Sequence, residues 1–450
     1  MNALDQYITL YEANRAEVDS HSAGALNRLR KAALDALRKA GRLPGKGDEG
    51  FEKSSVNDMF APDFGVNIQR MNMPVDVAAS FRCGVPNLST LLGVVVNDRF
   101  VPTSTLLGNL PEGVTVCSLA RAAEEHPELV DRHYGSVADI ESPGTALNTL
   151  LAQDGVLVHV GRNVHVGKAI QLVDIFKASF PLMGVRRVLV VAEEGSKVDI
   201  LKCDHTQGEG ERFLSSEVVE IVVGRDAEVG WYDIEESSAS TSRYSQLYAR
   251  QEEGARLTVC GATLTNGQTR NEYHVDVRGA HARTHLSGMA IGNGRQHVDN
   301  SSRMVHAADS GHSSQLFKYV LDDESTGAFE GEIEVCHGAR FVEAYQSNRN
   351  ILASVGARMH TKPQLLIFND DVKCSHGATT GQLDSKALFY MQARGIPMQQ
   401  ARRMLMQAFM VDVIDTIPLE PLRDRLRHMV ERRFAGEQAG CSECKGGAGC

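Results

Sequence analysis

Between Asp370 and His376 the chain carries two carboxylates, Asp370 and Asp371, a thiol, Cys374, and an imidazole, His376. Val372, Cys374 and His376 recur at period two, so on an extended strand their side chains leave one face. Residues two apart on a strand are roughly 6.6 Å apart at Cα. One soft ion, or one edge of an iron–sulfur centre, can touch both the thiol and the imidazole at that spacing, and both groups are good iron ligands. Asp370 and Asp371 can orient the imidazole as hydrogen-bond acceptors, or serve only as turn residues that bind backbone N–H groups. The plainer alternative is a buried cysteine and a hydrogen-bonded histidine at a strand end. Nucleophilic use is poorly served: thiol and base must come within about 2.6–3.2 Å, and neighbours two apart on one strand rarely align that way.

A second thiol cluster, Cys441, Cys444 and Cys450, sits among glycines at the C-terminus. Cys-x-x-Cys with a third cysteine can bind zinc, bind a cluster or form a redox pair. A Gly-rich end of this kind is expected to be disordered when alone. His274, His281, His285, His297, His306, His312, His337 and His360 lack a tight ligand spacing and read mainly as polar β-surface or interface residues. No Gly-x-x-x-x-Gly-Lys-Ser/Thr loop occurs, so nucleotide binding and hydrolysis are not expected of this chain. No Gly-x-Ser-x-Gly elbow accompanies a plausible triad.

The elements that position these residues follow from periodicity. Residues 1–40 read as helical, with Leu26, Leu29, Ala33, Ala36 and Leu37 at three- and four-residue spacing and Gly41 ending the run. Gly45 to Gly50 reads as a mobile linker. From about 154 to 368, short β-rich runs follow one another without helical periodicity, which favours an all-β unit. A loose repeat runs through them, with turns starting at Gly195, Asp226, Gly254 and Gly279 and echoes at Gly338 and Gly356. A period of this size suits stacked coils, none of which can bury its apolar face alone. A parallel β-helix is the reading, with a hairpin-built β-sandwich as the alternative. Asp384 then caps a helix ending near Gly395, Pro397 starts a second, and Pro418 and Pro421 precede a third bearing Leu422, Leu426, Met429 and Val430. The expected organisation is a helical and mixed region over 1–150, a β-helix core over 151–382, a helical region over 383–436 and a Cys/Gly-rich tail over 437–450. The arginines of the third region can dock an acidic partner or simply be solvated.

Composition bounds the function. A formal charge of −10 argues against sequence-independent nucleic-acid binding, which needs a basic surface. No run of 18 apolar residues exists to span a membrane, and the acid-rich start is neither a signal nor a transit peptide. Nine scattered cysteines, an odd number, fit a reducing cytoplasm.

Residues 294–415 resemble the SufB/SufD family of iron–sulfur cluster assembly proteins. The matching segments are Gln296–Asn300, Gln315–Leu321, Gly327–Gly331, Ala344–Asn350, Lys362–Leu365, the Asp370–Gly381 stretch, Ala387–Tyr390 and Arg394–Ile396. Gly377 and Gly381-Gln382-Leu383-Asp384 look like the SufD branch, where SufB has a Glu and Ser-Lys-Ile. The resemblance implies a right-handed parallel β-helix between helical ends, and a non-enzymatic scaffold role. It implies pairing with a SufB-like paralogue and docking of a SufC-like ATPase on the C-terminal helices, with a homodimer as the state open to the chain alone. It also puts the family's functional pair on Cys374 and His376, holding a transient iron–sulfur cluster at the paralogue interface, with His376 the stronger ligand. The competing reading is a β-helix carbohydrate-active enzyme. Such enzymes line a groove with aromatic residues, whereas this chain has one Trp and 6% aromatics.

Overall fold

The computed structural model describes residues 2–76, 90–208 and 210–436. The thiols Cys441, Cys444 and Cys450 lie outside the described residues. From Val156 onward, consecutive strands fall alternately into two sheets, so that each coil of chain contributes one strand to each. The first sheet runs from 358–367 through 326–335, 297–306, 268–277, 241–251, 213–223 and 182–192 to 156–160. The second runs from 373–381 through 343–352, 312–321, 283–292, 256–265, 228–236 and 197–206 to 170–176. Within these runs every pairing is parallel. The result is a parallel β-solenoid of about 8 turns, not a hairpin sandwich.

One turn fixes the coil geometry. Asn163, Gly195, Asp226, Gly254, His281, Ser310 and Phe341 all adopt left-handed backbone at this corner. From Gly195 on, each donates its N–H to the next coil, as Asp226 does to Glu253 O and His281 to Asp309 O. The expected starts at 195, 226 and 254 fall on this column. The expected start at 279 is two residues early, because the left-handed slot there belongs to His281.

The lumen between the sheets is mostly aliphatic. On the second sheet Ile170, Ile200, Trp231, Val259 and Leu286 stack in register, facing Val188, Val219, Leu247 and Tyr273 on the first. All are buried, and each contributes about 1.5–3 kcal/mol by leaving water. The sole tryptophan, Trp231, is sealed inside and cannot form a sugar-stacking groove.

Toward one side of the lumen the column chemistry changes to charge. Lys202 lies 2.7 Å from Asp204, 3.1 Å from Glu217 and 3.5 Å from Asp174. Arg186 pairs with Asp174 and Asp204, and Arg243 with Asp204, Glu217 and Asp233. Glu235 stands beside them, accepting hydrogen bonds from Thr269 at 2.8 Å. Charges this deep persist only when paired and hydrogen-bonded.

Each outer sheet face is covered by one end of the chain. The N-terminal helices bring Leu4, Tyr7, Leu37 and Phe60 onto Met183, Val185, Leu214 and Tyr244. Residues 42–55 are not a free linker: Asp48 holds Arg42 and the Gly45 N–H, Phe51 lies under the Arg270 guanidinium, and Ser54 bonds His297. The C-terminal helices Met398–Ile414 and Glu420–Ala435 lay Met406, Met410, Val413, Leu422 and Leu426 over Leu201, Tyr232, Cys260 and Met289 of the second sheet. Buried Lys318 anchors this layer through Asp412 and the Phe409 carbonyl. Arg402 and Arg433 donate to solenoid carbonyls of Ala353 and Leu264, so these arginines are structural pins. No helix among the described residues is long and apolar enough to cross a membrane.

The two ends of the solenoid differ. At its start, strand 114–118 closes the first sheet antiparallel to 156–160, and the 91–96/99–102 hairpin closes the second. At its end, strands 358–367 and 373–381 are paired on one side only.

Burial pushes the Glu235 carboxyl up from 4.5 to about 7, against the opposing pull of Arg243. A carboxyl raised in the folded state adds stability that is fully present below its unfolded value and lost as pH rises through about 7. Glu235→Gln should therefore raise stability at pH 8 by roughly 1–3 kcal/mol, with little effect at pH 4. Urea unfolding at both pH values measures this. An unchanged pH profile would show that Glu235 ionises without cost.

Candidate functional site

Asp370 and Asp371 form the turn that carries the chain from strand 358–367 into the last strand, Lys373–Gly381. The turn is held by the backbone: Phe341 donates to Asp371 O at 2.6 Å, and Asp371 N–H donates to Asn369 Oδ1 at 3.1 Å. Both aspartates are exposed, and no hydrogen bond joins either carboxylate to His376. Lys373 then bridges back to Glu343 at 2.8 Å, locking the register of the last coil.

That register settles where the thiol and imidazole point. Cys374 pairs with Ala344 and His376 with Gln346, and both partners face the lumen. Cys374 and His376 therefore share the lumen side of the terminal coil, as the period-two spacing predicts. Cys374 is half-buried against the end of the aliphatic core. Burial pushes its thiol above the ordinary cysteine range, a hydrogen bond from the Ala344 backbone opposing the shift. It is thus a protonated thiol at neutral pH, poorly suited to attack a substrate but able to lose its proton to a bound metal. His376 is exposed and makes no side-chain hydrogen bond among the described residues. No hydrogen bond links Cys374 to His376, so the nucleophile–base pair of a cysteine hydrolase is not formed.

The rim of the open end carries exposed apolar side chains among charged ones such as Asp370, Asp371 and Lys373. Leu366, Ile367 and Phe368 are exposed at the close of strand 358–367, with Tyr345 and Phe341 on the neighbouring coil. The following helix, Ser385–Ala393, is capped by Asp384, whose carboxylate accepts from Lys386 N–H at 2.8 Å. It buries none of its side chains and leaves Phe389 74% exposed.

The histidines spread over the β-region have local jobs. His297 bonds Thr326 and Ser54, His306 bonds Ser313, His285 bonds Ser314, and His274 stacks on Tyr248. His337 stacks on Phe368 at the rim, and His312 approaches Tyr345. Among the described residues no three His, Cys, Asp or Glu side chains converge as a metal cage. The terminal coil offers two candidate donor side chains and an open side. Sequence reasoning singled out this pair but missed Gln315 and Gln346 beneath His376, whose 31- and 30-residue spacing marks them as one column of the coil.

Because His376 is exposed and unpaired, His376→Ala should leave the chemical stability of the chain within about 0.5 kcal/mol. Guanidinium unfolding of the purified variant checks this; a larger loss would mean the imidazole props up the fold.

Comparison with known proteins places the chain. Residues 177–409 match the SUF system FeS cluster assembly, SufBD core domain, and residues 1–172 match the SufBD protein N-terminal region. The chain is 29% identical to an iron–sulfur cluster assembly SufBD family protein of Synechocystis, over 90% of each chain. It is 26% identical to the iron–sulfur cluster assembly protein SufD of Bacillus subtilis over 72% of this chain and 74% of the relative. It is 30% identical to SufD of Escherichia coli over 37% and 40%.

Proposed function

This chain belongs to the SufB/SufD family and acts in SUF iron–sulfur cluster assembly, and from that premise we propose that it is the SufD-type scaffold subunit, holding a nascent cluster at a shared interface without catalysing turnover itself. The observation that carries this reading is the asymmetry of the solenoid: one end is closed by antiparallel strands, while the other leaves two strand edges unpaired beside Cys374 and His376. Unpaired edges invite pairing with another chain. A solenoid with exposed apolar side chains at its rim and an incomplete end needs a capping partner for solubility. A SufB-like paralogue, whose own terminal coil would present the same geometry, fits that end.

The chemistry follows from what the terminal coil lacks. Iron–sulfur clusters are usually held by four protein ligands. A thiol and an imidazole from one chain hold iron weakly, and a second subunit completes the set. His376 is the primary ligand because its imidazole is exposed and free to reach iron; Cys374, half-buried with its thiol pushed up by burial, is the secondary one. The cluster is cargo and must leave, which an incomplete ligand set on each subunit favours. The energy source lies outside the chain: a SufC-like ATPase docks on the C-terminal helices, where Ser385–Ala393 presents Phe389 and Tyr390. The site of action is the cytoplasm.

Reconstitution with the paralogue and ATPase, followed by anaerobic iron and sulfide loading, tests the site. His376→Ala should leave the complex intact on gel filtration and lower its bound iron–sulfur content by about tenfold or more. Full cluster content in that variant would remove His376 from the ligand set. Phe368→Asp should abolish pairing with the paralogue in a pull-down without lowering the melting temperature. Retained pairing would move the interface away from the open end.

A further inference from the structure

The lumen column that ends at His376 changes character over its last three coils. Ile170, Ile200, Trp231, Val259 and Leu286 occupy this position in five successive coils, all of them apolar. Gln315, Gln346 and His376 occupy it in the next three. The opposite sheet changes with it: Val188, Val219, Leu247 and Tyr273 give way to Ser302 and Gly331. Burying two primary amides in an otherwise aliphatic column costs free energy unless their hydrogen bonds are made.

The bonds they make run in one direction. Ser302 Oγ donates to Gln315 Oε1 at 2.7 Å, and Gln346 Nε2 donates to the same oxygen at 3.2 Å. Gln315 Oε1 thus receives two donors, one of them the Gln346 amide nitrogen, while Gln315 Nε2 is itself buried without a partner. The Gln346 carbonyl oxygen is left over. Gln346 Oε1 is buried and has no partner, and the next residue of the column is His376. Gly331 makes this arrangement possible: a Cβ there would stand 2.6 Å from Gln346 Cδ and strike the amide.

We propose that the Ser302–Gln315–Gln346 ladder is the positioning element for His376, with the unpartnered Gln346 Oε1 offered as the acceptor for an imidazole N–H turned toward the lumen. The acceptor selects the tautomer whose outward nitrogen carries the free lone pair, and it aims that lone pair across the open end. Metal-binding histidines are commonly oriented by such a bond through their other nitrogen. No hydrogen bond joins His376 to the Asp370 or Asp371 carboxylates or to Gln346 Oε1, and of these acceptors Gln346 Oε1 is the one buried in the same lumen column. The ligand role of His376 belongs to the function proposed above; the ladder is a further feature beneath it.

The test reads the imidazole before it reads iron. In the full-length chain labelled with 15N-histidine, alone and bound to the paralogue, nitrogen shifts at pH 8 report the tautomer of His376, assigned by the His376→Ala variant. The wild type should show one dominant tautomer, and Gln346→Met, which keeps the volume and removes the acceptor, should show a mixture. Ferrous iron titrated into the paralogue-bound complex should bind about tenfold more weakly to Gln346→Met. Gln346→Glu, which keeps an acceptor at that place, should restore the single tautomer. Gln315→Met, which frees the Gln346 amide to rotate, should reproduce the mixture and serves if Gln346→Met fails to fold. An unchanged tautomer ratio in Gln346→Met and Gln315→Met overturns the ladder. A shifted ratio with iron binding unaffected keeps the ladder and counts against His376 as the ligand.

Discussion

Parallel pairing between successive coils is the constraint on which everything else in this chain depends. Between the two ends of the solenoid, each strand draws its backbone hydrogen bonds from the strands on either side. A residue's surroundings are therefore set by the residues one coil earlier and one coil later. Apolar side chains stack on apolar ones, as Ile200 does on Ile170 and Trp231, and the whole lumen is built by repetition of that contact. The same rule leaves the last coil with backbone donors and acceptors that nothing in the described chain satisfies. The interface proposed at that end makes use of this consequence of the architecture, and Cys374 and His376 lie beside the unpaired edges.

The charged chamber shows what the constraint permits inside. Lys202, Arg186 and Arg243 are fully buried, and each faces at least two carboxylates on different coils or the opposite sheet. Burial raises the Asp174 and Glu235 carboxyls, whereas the surrounding cations pull Asp204 down despite burial. A buried network of this kind adds little net stability compared with a well-packed apolar core. Its geometric effect is plainer: sliding a strand by one residue would turn its lumen residues outward and leave several charges unpaired, so the chamber resists slippage.

Much of this architecture was legible in the sequence, for reasons that can be located. The all-β character of the stretch from about 154 to 368 and the helix cap at Asp384 follow local rules, and the structure has them in place. Cys374 and His376 share a face because period two belongs to any strand. What escaped is what depends on the next coil. Lys202, Asp204, Glu217 and Arg243 sit at alternating positions that hydropathy assigns to solvent, and only coil register shows them to be mutual partners. The repeat beyond Gly254 is blurred because His281, Ser310 and Phe341 fill a left-handed slot usually given to glycine. Residues 45–50 have the composition of a mobile linker, yet the segment they open is pinned by Arg270 and His297, more than two hundred residues downstream.

The open end also explains why the candidate site is poor in ligands. A closed set of four would hold a cluster on one chain and make its release slow, while a single ligand would hold no iron at all. In the proposed role, two donors on the lumen side of a terminal coil would place the site between these limits, because affinity would then depend on a second subunit. Protonation of Cys374 adds to the dependence, since the thiol must give up its proton before it can bind. Rigid support matters more for such a site than for a closed one. With few bonds to share the work, the direction of each lone pair decides whether iron bridges the interface. A β-solenoid suits that demand: its last strand is held by nine in-register pairs to the strand below, while the opposite side of the candidate site remains open.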